Sequence, residues 1–228
     1  MWAVFKKEVK NYFCTSIGYI YIGVFLLAFS LTFFLYIFSY SSNNYEYIFL
    51  YWPTILTFVF LVPVLTMRSF SEERKTGTEQ LLLTSPISLT KIVLGKFFAA
   101  VFITLIVEAA SLMYLAILCH FGKPKIPITL TTLLGFFLFM TAYISFGIFA
   151  SSITENQIVA AIVTIALFVF TWLLPEFNTK LEGYSMMSMF YKYTQGQIDI
   201  ANTVTFILFT LMCLALTIIV MQRRKSVK

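Results

Sequence analysis

Charged side chains are scarce in this chain of 228 residues. Only 11% of the residues are Asp, Glu, Lys or Arg, and 60% are hydrophobic, whereas soluble domains average about 25% charged residues. A water-soluble core cannot bury so large an apolar share. The composition therefore excludes an ordinary soluble domain and indicates a membrane protein. In that setting membrane topology explains the net charge of +6, and we expect no nucleic-acid partner.

Residues that bind metals are also scarce. The chain has one histidine, His120, and three cysteines, Cys14, Cys119 and Cys213, which lie far apart. No pair has the spacing of a metal site, and an odd number of cysteines offers no disulfide framework. A single histidine at a membrane face does not support a catalytic Ser-His-Asp triad. We therefore expect no bound metal and no enzymatic activity.

A nucleotide-binding loop is missing from the sequence as well. Such a loop places a glycine four intervening residues before Gly-Lys-Ser/Thr, so that backbone amides cradle the phosphates. The Gly-Lys pairs at 95–96 and 122–123 lack that glycine and are followed by Phe97 and Pro124. The chain is thus not expected to bind ATP, so any ATP-driven process would need another polypeptide.

Long apolar runs fill most of the chain instead. A helix needs about 20 residues to cross the hydrocarbon core of a membrane, and six runs approach or exceed that length. The predicted spans cover residues 17–38, 48–67, 92–119, 128–151, 156–175 and 201–221. The predicted fold class is all-α and polytopic, with a single transmembrane domain over residues 1–228.

Two shorter segments are apolar without being long enough to cross. Residues 1–13 interleave apolar residues with Lys6, Lys7 and Lys10 at helical spacing, which predicts an amphipathic helix lying in the headgroup region. Residues 184–193 are rich in aromatic residues and methionine. They predict a re-entrant or interfacial helix before the sixth span.

The distribution of Lys and Arg predicts the orientation. One side of the predicted topology holds twelve of the 16 cations: Lys6, Lys7, Lys10, Arg68, Arg74, Lys75, Lys91, Lys96, Arg223, Arg224, Lys225 and Lys228. The other side holds Lys123, Lys125, Lys180 and Lys192. Because cytoplasmic loops carry the excess of Lys and Arg, both termini and the loop after the second span are predicted to be cytosolic.

That loop, residues 68–91, is the most polar stretch of the chain. Thr76 and Glu79 have the spacing of a capping box, in which a hydroxyl and a carboxylate satisfy each other's backbone donors at a helix start. Pro86 disfavours helical geometry at the residue before it. The pattern predicts a short helix that buries two leucines and leaves Glu79 in solvent. An ordinary loop that carries topogenic charge is the alternative interpretation.

The same loop resembles a known family. Residues 67–88, centred on Glu-Glu-Arg-Lys-Thr-Gly-Thr-Glu-Gln-Leu-Leu-Leu-Thr-Ser-Pro, resemble the signature of ABC-2 type transporter permeases. The runs at 150–161 and 193–199 resemble the same family. Among its members, the likeness is greatest to permeases associated with gliding motility and with copper-site maturation of nitrous oxide reductase.

The resemblance implies the membrane subunit of an ATP-driven exporter in the bacterial inner membrane. Residues 68–91 would contain a coupling helix that docks on a separate ABC ATPase subunit, and ATP and Mg²⁺ would bind there. Residues 1–13 would form the elbow helix, and a second permease would complete a homodimer or heterodimer. The residues assigned to ATPase coupling are Glu72, Glu73, Arg74, Thr76, Gly77, Thr78, Glu79, Leu81, Leu82, Thr84 and Pro86.

Glu108 is the one ionisable residue deep within a predicted span. A charge at that depth costs about 2.5 kcal/mol or more, so the side chain should face the protein interior or be protonated. One interpretation places it on the pathway between two permease halves, and another makes it a packing residue bonded to Thr104 or Ser111. An ion-coupled secondary transporter or channel working through Glu108 is the alternative function. An intramembrane enzyme would need a second polar group beside it.

Overall fold

The computed structural model describes residues 1–39, 42–80, 87–177 and 183–227. Within those ranges the regular structure is helical. The helices are α1 Trp2–Cys14, α2 Ile17–Thr32 with a π-helical continuation Phe33–Phe38, α3 Tyr47–Leu50, α4 Trp52–Lys75, α5 Leu89–Phe121, α6 Ile126–Ile153, α7 Gln157–Phe177, α8 Met186–Thr194 and α9 Ile200–Val227.

Six helices in the described ranges are long and apolar enough to cross a membrane: α2 with its continuation, α4, α5, α6, α7 and α9. This confirms the all-α fold class and the prediction of six spans. Consecutive spans alternate in direction. As a result α1, the end of α4, the start of α5 and the last turns of α6 and α9 lie together at one end of the bundle, which we call the terminal end.

Helices α4 and α6 form the centre of the bundle. In their most apolar stretches 67% and 61% of the residues are buried, whereas the share in α7 is 17%. Phenylalanine rings fill the space between the central pair and its neighbours. The fully buried ones are Phe25, Phe29, Phe49, Phe58, Phe70, Phe136, Phe139, Phe168, Phe190 and Phe206. Helices α2, α7 and α9 consequently present most of their surface to the outside, as lipid-facing spans do.

Two prolines shape α4. The predicted span from residue 48 is interrupted at Tyr51, whose backbone is extended, because a proline ring at 53 clashes with a continuous preceding turn. Pro63 lies inside α4 and cannot donate to the carbonyl of Val59, four residues earlier. The hydroxyl of Tyr143 donates to that carbonyl at 3.3 Å. A neighbouring helix thus satisfies the backbone group that Pro63 leaves free.

The short helix α8 packs on α6. It is nine residues long and therefore too short to cross a membrane. Tyr193 of α8 lies against Gly135 of α6 so closely that any β-carbon at Gly135 would overlap its side chain. Thr131 donates to the Tyr193 carbonyl at 2.9 Å. The depth of α8 in a membrane stays a prediction.

Candidate functional site

The end of α4 differs from the prediction for this segment. Residues 68–75, expected in a loop, are helical. The Thr76 hydroxyl donates to the carbonyls of Glu72 and Glu73, at 2.9 and 3.3 Å, and Gly77 follows with φ +74°. A left-handed glycine after the last turn is typical of a helix end. The predicted capping box is wrong, because Thr76 closes α4 and its N–H donates to Glu72.

Glu79 is buried rather than exposed to solvent. Its two carboxylate oxygens lie between two guanidinium groups, 3.7 Å from Nε of Arg74 and 3.3 Å from Nη1 of Arg224. Arg74 belongs to α4 and Arg224 to the last turns of α9. The prediction that Glu79 faces solvent is wrong because both arginines replace water around it.

The same two arginines also hold the turn between α6 and α7. Nη1 of Arg74 and Nη2 of Arg224 donate to the Ile153 carbonyl, at 2.9 and 3.1 Å. Nη2 of Arg74 lies 2.7 Å from the Glu155 carboxylate. A cation beside the last carbonyls of a helix is favourable because the helix dipole is negative there. We call Arg74, Glu79, Ile153, Glu155 and Arg224 the arginine clasp.

A serine joins α4 to α6 just inside the clasp. The Ser151 hydroxyl accepts from the N–H groups of Phe70 and Ser71, at 3.0 and 3.1 Å, and donates to the Met67 carbonyl at 2.9 Å. One turn earlier on α6, Gly147 lies against Thr66 so closely that a β-carbon would overlap its hydroxyl. The two family-like runs, residues 67–88 and 150–161, are therefore in direct contact.

A buried lysine ties α1 to the same region. Nζ of Lys96, in α5, lies 3.0 Å from Glu8 of α1 and 2.9 Å from Glu73 of α4, and it donates to the Ser69 carbonyl at 2.7 Å. Only 3% of the lysine side chain is exposed. Lys96, which the sequence analysis counted among the cations that set the orientation, is thus buried in the protein by its ion pairs. We call Lys96, Glu8 and Glu73 the lysine triad.

The residues assigned to ATPase coupling therefore divide into separate groups. Glu73, Arg74 and Glu79 are engaged within the protein, as described above. Thr76, Gly77 and Thr78 are exposed and Glu72 is half-buried. Leu81, Leu82, Thr84 and Pro86 lie outside the described residues. The exposed part of the segment is residues 75–78 with Gln80, which adjoin Arg74 and Glu79 in the sequence. We call this part the rim.

Glu108 lies far from the rim, midway along α5. Its side chain borders an open groove between α5 and α6 with a volume of about 460 Å³. The other lining residues are apolar: Leu105, Ala109, Leu112, Leu133, Leu134 and Phe137. The predicted packing bonds do not form. Ser111 donates to the backbone carbonyl of Glu108, and Thr104 donates to that of Val101. In the described part of the chain, no side chain bonds to the Glu108 carboxylate.

The comparison with protein families identifies the chain. The family model described as "ABC-2 family transporter protein" matches residues 38–221. That range includes Lys96, Glu108 and every clasp residue except Arg224. The chain belongs to the ABC-2 family. Members of this family are the transmembrane permease components of ABC transporters, which in general have an ABC ATPase partner. This chain is therefore a multi-pass membrane permease of that type. The comparison with individual curated proteins found no match.

Sequence analysis did not identify all the residues that connect the helices at the terminal end of the ABC-2 permease. Glu8, Ser151 and Glu155 were not selected as site residues, and Lys96 and Arg224 served only to predict orientation. Their partners are distant: Glu8 and Lys96 are 88 positions apart, and Glu79 and Arg224 are 145 apart. The one available signal was the family-like run at 150–161, which contains Ser151 and Glu155.

Proposed function

We propose that this ABC-2 permease is one half of an ATP-driven exporter in the bacterial cytoplasmic membrane. In this proposal both termini and the terminal end are cytosolic, and a separate ATPase docks on the rim formed by residues 75–78 with Gln80. A second permease completes the transporter. The charge distribution of the sequence supports this orientation, because the terminal end carries most of the cations.

The observation that carries the proposal is the bracing of the rim. Residues 75–78 are exposed and therefore available to a partner. Immediately beneath them, Arg74 and Glu79 connect to the α6–α7 turn and, through Arg224, to α9. The lysine triad connects the same end of α4 to α1 and α5. A displacement of the rim by an ATPase would consequently be passed to most of the bundle.

A second observation concerns the permease partner. Glu108 has no described partner and borders an apolar groove open to the outside. A charged group facing lipid at that depth costs about 2.5–3.5 kcal/mol. Contact with a second permease along the α5–α6 face would remove Glu108 from lipid. It would also line the cavity between the two halves with a carboxylate.

Crosslinking from the rim tests the docking proposal. Cys14, Cys119 and Cys213 are replaced first, and a benzophenone-maleimide is then attached to Thr78→Cys or to Lys123→Cys in membranes that contain the native ATPase. Thr78 and Lys123 are both exposed, at opposite ends of the bundle. We expect a crosslinked ATPase from Thr78→Cys alone. No adduct from Thr78→Cys, or equal adducts from both, would refute docking on the rim.

The same two variants test orientation. A membrane-impermeant maleimide added to intact cells should label Lys123→Cys. It should label Thr78→Cys only after the membrane is opened. Labelling of Thr78→Cys from outside would reverse the proposed topology and remove the rim from any cytosolic ATPase.

The unpartnered Glu108 also favours a second candidate function, an ion-coupled transporter or channel. In that case activity would follow the proton gradient and survive inactivation of the ATPase. The ATP-driven exporter predicts the opposite, namely activity that is lost with an ATPase unable to hydrolyse ATP and kept when an uncoupler collapses the gradient. Flux in proteoliposomes under these two conditions separates the candidates.

A further inference from the structure

The elbow helix α1 has two unlike flanks. On one flank Trp2 and Phe5 border an apolar groove against α5, with a volume of about 310 Å³. Trp2, Phe98 and Phe102 are exposed there, at 72%, 44% and 40%. Trp2 belongs to α1, and Phe98 and Phe102 belong to the start of the span α5. An exposed apolar ring on an amphipathic helix lies at the boundary between acyl chains and headgroups. The other flank of α1 is therefore at headgroup depth.

That other flank borders an open cavity of about 580 Å³ between α1 and the end of α4. Sites that enclose small molecules have volumes of roughly 300–1,000 Å³. The cavity is lined by charged and polar side chains and Cys14: Lys7, Glu8, Lys10, Asn11, Cys14, Arg68, Ser69, Glu72, Glu73, Thr76, Thr78 and Lys96. Four cations thus face three carboxylates.

The pairing within this cavity leaves two cations available. Lys96 neutralises Glu8 and Glu73, as described above, and Lys7 lies 3.9 Å from Glu73. Among the described residues, neither Lys10 of α1 nor Arg68 of α4 forms an ion pair. Glu72 is the remaining carboxylate, and it lies on the same helix as Arg68. The cavity therefore offers an ammonium and a guanidinium on opposite walls, a pair suited to a phosphate oxygen on each side.

We propose that this cavity binds the phosphate of an anionic membrane phospholipid, held between Lys10 and Arg68. A lipid fits the position better than a soluble anion, because the apolar flank of the same helix sets the cavity at headgroup depth. Asn11 lines the cavity as well, and its side-chain amide can donate hydrogen bonds to glycerol or phosphate oxygens. A bound lipid would fix α1 against α4 beside the rim. The inference is independent of ATPase docking.

Native mass spectrometry of the purified, delipidated protein tests the assignment. The measured quantity is the dissociation constant of the first phosphatidylglycerol molecule, compared with that of phosphatidylcholine. Each cation near an anionic lipid contributes on the order of five-fold in affinity. We expect phosphatidylglycerol to bind more tightly, and Lys10→Gln with Arg68→Gln to weaken it by about five-fold for each cation removed.

Matched variants separate a built site from a general surface charge. Lys6→Gln removes an exposed cation from the same helix that does not line the cavity, and it should leave the affinity unchanged. Lys10→Arg with Arg68→Lys keeps both charges and should keep the affinity, which shows that losses are not due to misfolding. An equal loss with Lys6→Gln would reduce the effect to surface potential and overturn the proposal.

Two further results would also overturn it. Displacement of phosphatidylglycerol by free glycerol phosphate at comparable concentration would assign the cavity to a soluble anion. An absence of any preference for phosphatidylglycerol, together with loss of the ATPase from the Lys10→Gln, Arg68→Gln variant on co-purification, would assign the cavity to the ATPase instead.

Discussion

The terminal end and the middle of the ABC-2 permease treat buried charge in opposite ways. At the terminal end, the buried carboxylates of Glu8 and Glu79 lie 3.0 and 3.3 Å from cationic nitrogens of Lys96 and Arg224. In the middle of α5, the Glu108 carboxylate has no described partner and faces an apolar groove. The first region pairs its buried carboxylates with cations of the same chain, whereas the second holds a carboxylate with no described partner.

This difference indicates how the two regions can work. A buried ion pair loses hydration, and its geometry is held by mutual attraction and hydrogen bonds, so removing one partner is costly. The terminal end can therefore transmit a displacement as a connected unit. A lone carboxylate in an open groove contributes little to the fold of one chain. Its environment must come from a second chain, from lipid defects or from protonation.

The largest expected effect is at Lys96. The substitution Lys96→Met keeps most of the side-chain volume but leaves the buried Glu8 and the partly buried Glu73 without their common cation. Breaking a buried pair in this way costs about 3–5 kcal/mol. We expect a large fall in the unfolding temperature in detergent.

Two comparisons sharpen this prediction. Lys91→Met removes an exposed cation from the first turn of the same helix and should change stability by less than about 0.5 kcal/mol. Adding Glu8→Gln and Glu73→Gln to Lys96→Met should restore much of the loss, because no uncompensated charge then remains. Equal effects at Lys91 and Lys96 would contradict the lysine triad.

The next largest effect concerns the close contact of α4 and α6. Gly147→Ala would place a methyl group on the Thr66 hydroxyl, and overpacking of this kind costs about 1–3 kcal/mol. Gly23→Ala, in α2, meets open space and should stabilise the helix by up to about 1 kcal/mol. Thermal unfolding of the two variants should therefore shift in opposite directions. A shift in the same direction would contradict the contact.

The sequence predicted the membrane-spanning helices better than it predicted the structure of the terminal end. The apolar runs predicted six spans because hydrophobic length is a strong local signal. The end of α4 was misplaced for a local reason: charged residues 68–75 suggested a loop, although a helix can continue past the apolar core of a membrane. Thr76 and Glu79 have the spacing of a capping box at a helix start, but Thr76 followed by Gly77 is equally typical of a helix end. The structure distinguishes the two because the Thr76 hydroxyl donates to carbonyls of the preceding turn.

The partners within the site were beyond prediction for a different reason. A lysine near the start of a span is usually interfacial, and nothing local marks Lys96 as buried. Its burial follows from Glu8 and Glu73 arriving from two other helices. Likewise, Glu79 looks solvent-exposed until α9 brings Arg224 to it. Glu108 was selected from sequence alone because a carboxylate within a long apolar run is recognisable from the neighbouring residues, without knowledge of the fold.

The arginine clasp should show a smaller effect than the lysine triad, because its side chains still touch water. Charged hydrogen bonds can contribute about 1.5–3 kcal/mol, but partial exposure reduces this. A double-mutant cycle with Glu79→Gln and Arg224→Gln should give a coupling free energy of about 1 kcal/mol. Lys225→Gln, at an exposed neighbouring position, is the control. Additive effects of Glu79→Gln and Arg224→Gln would show that the two residues do not interact.

The same cycle can be read out on function. If the clasp passes displacement from the rim to α9, each single variant should lower permease-stimulated ATPase activity while the ATPase still co-purifies. The double variant should be no worse than either single one. Loss of co-purification would instead make the clasp part of the docking surface itself.

The smallest effect on folding is expected at Glu108, where the middle of α5 should differ most from the terminal end. Glu108→Gln removes the charge with little change in shape, and because no described side chain pairs with it, stability should change by less than about 0.5 kcal/mol. Transport and substrate-stimulated ATPase activity should nevertheless fall, since the carboxylate is proposed to line the cavity between two halves. A stability loss as large as that of Lys96→Met would mean that the single chain already satisfies Glu108. Full transport by the folded variant would remove Glu108 from the pathway and leave the α5–α6 face as a packing surface alone.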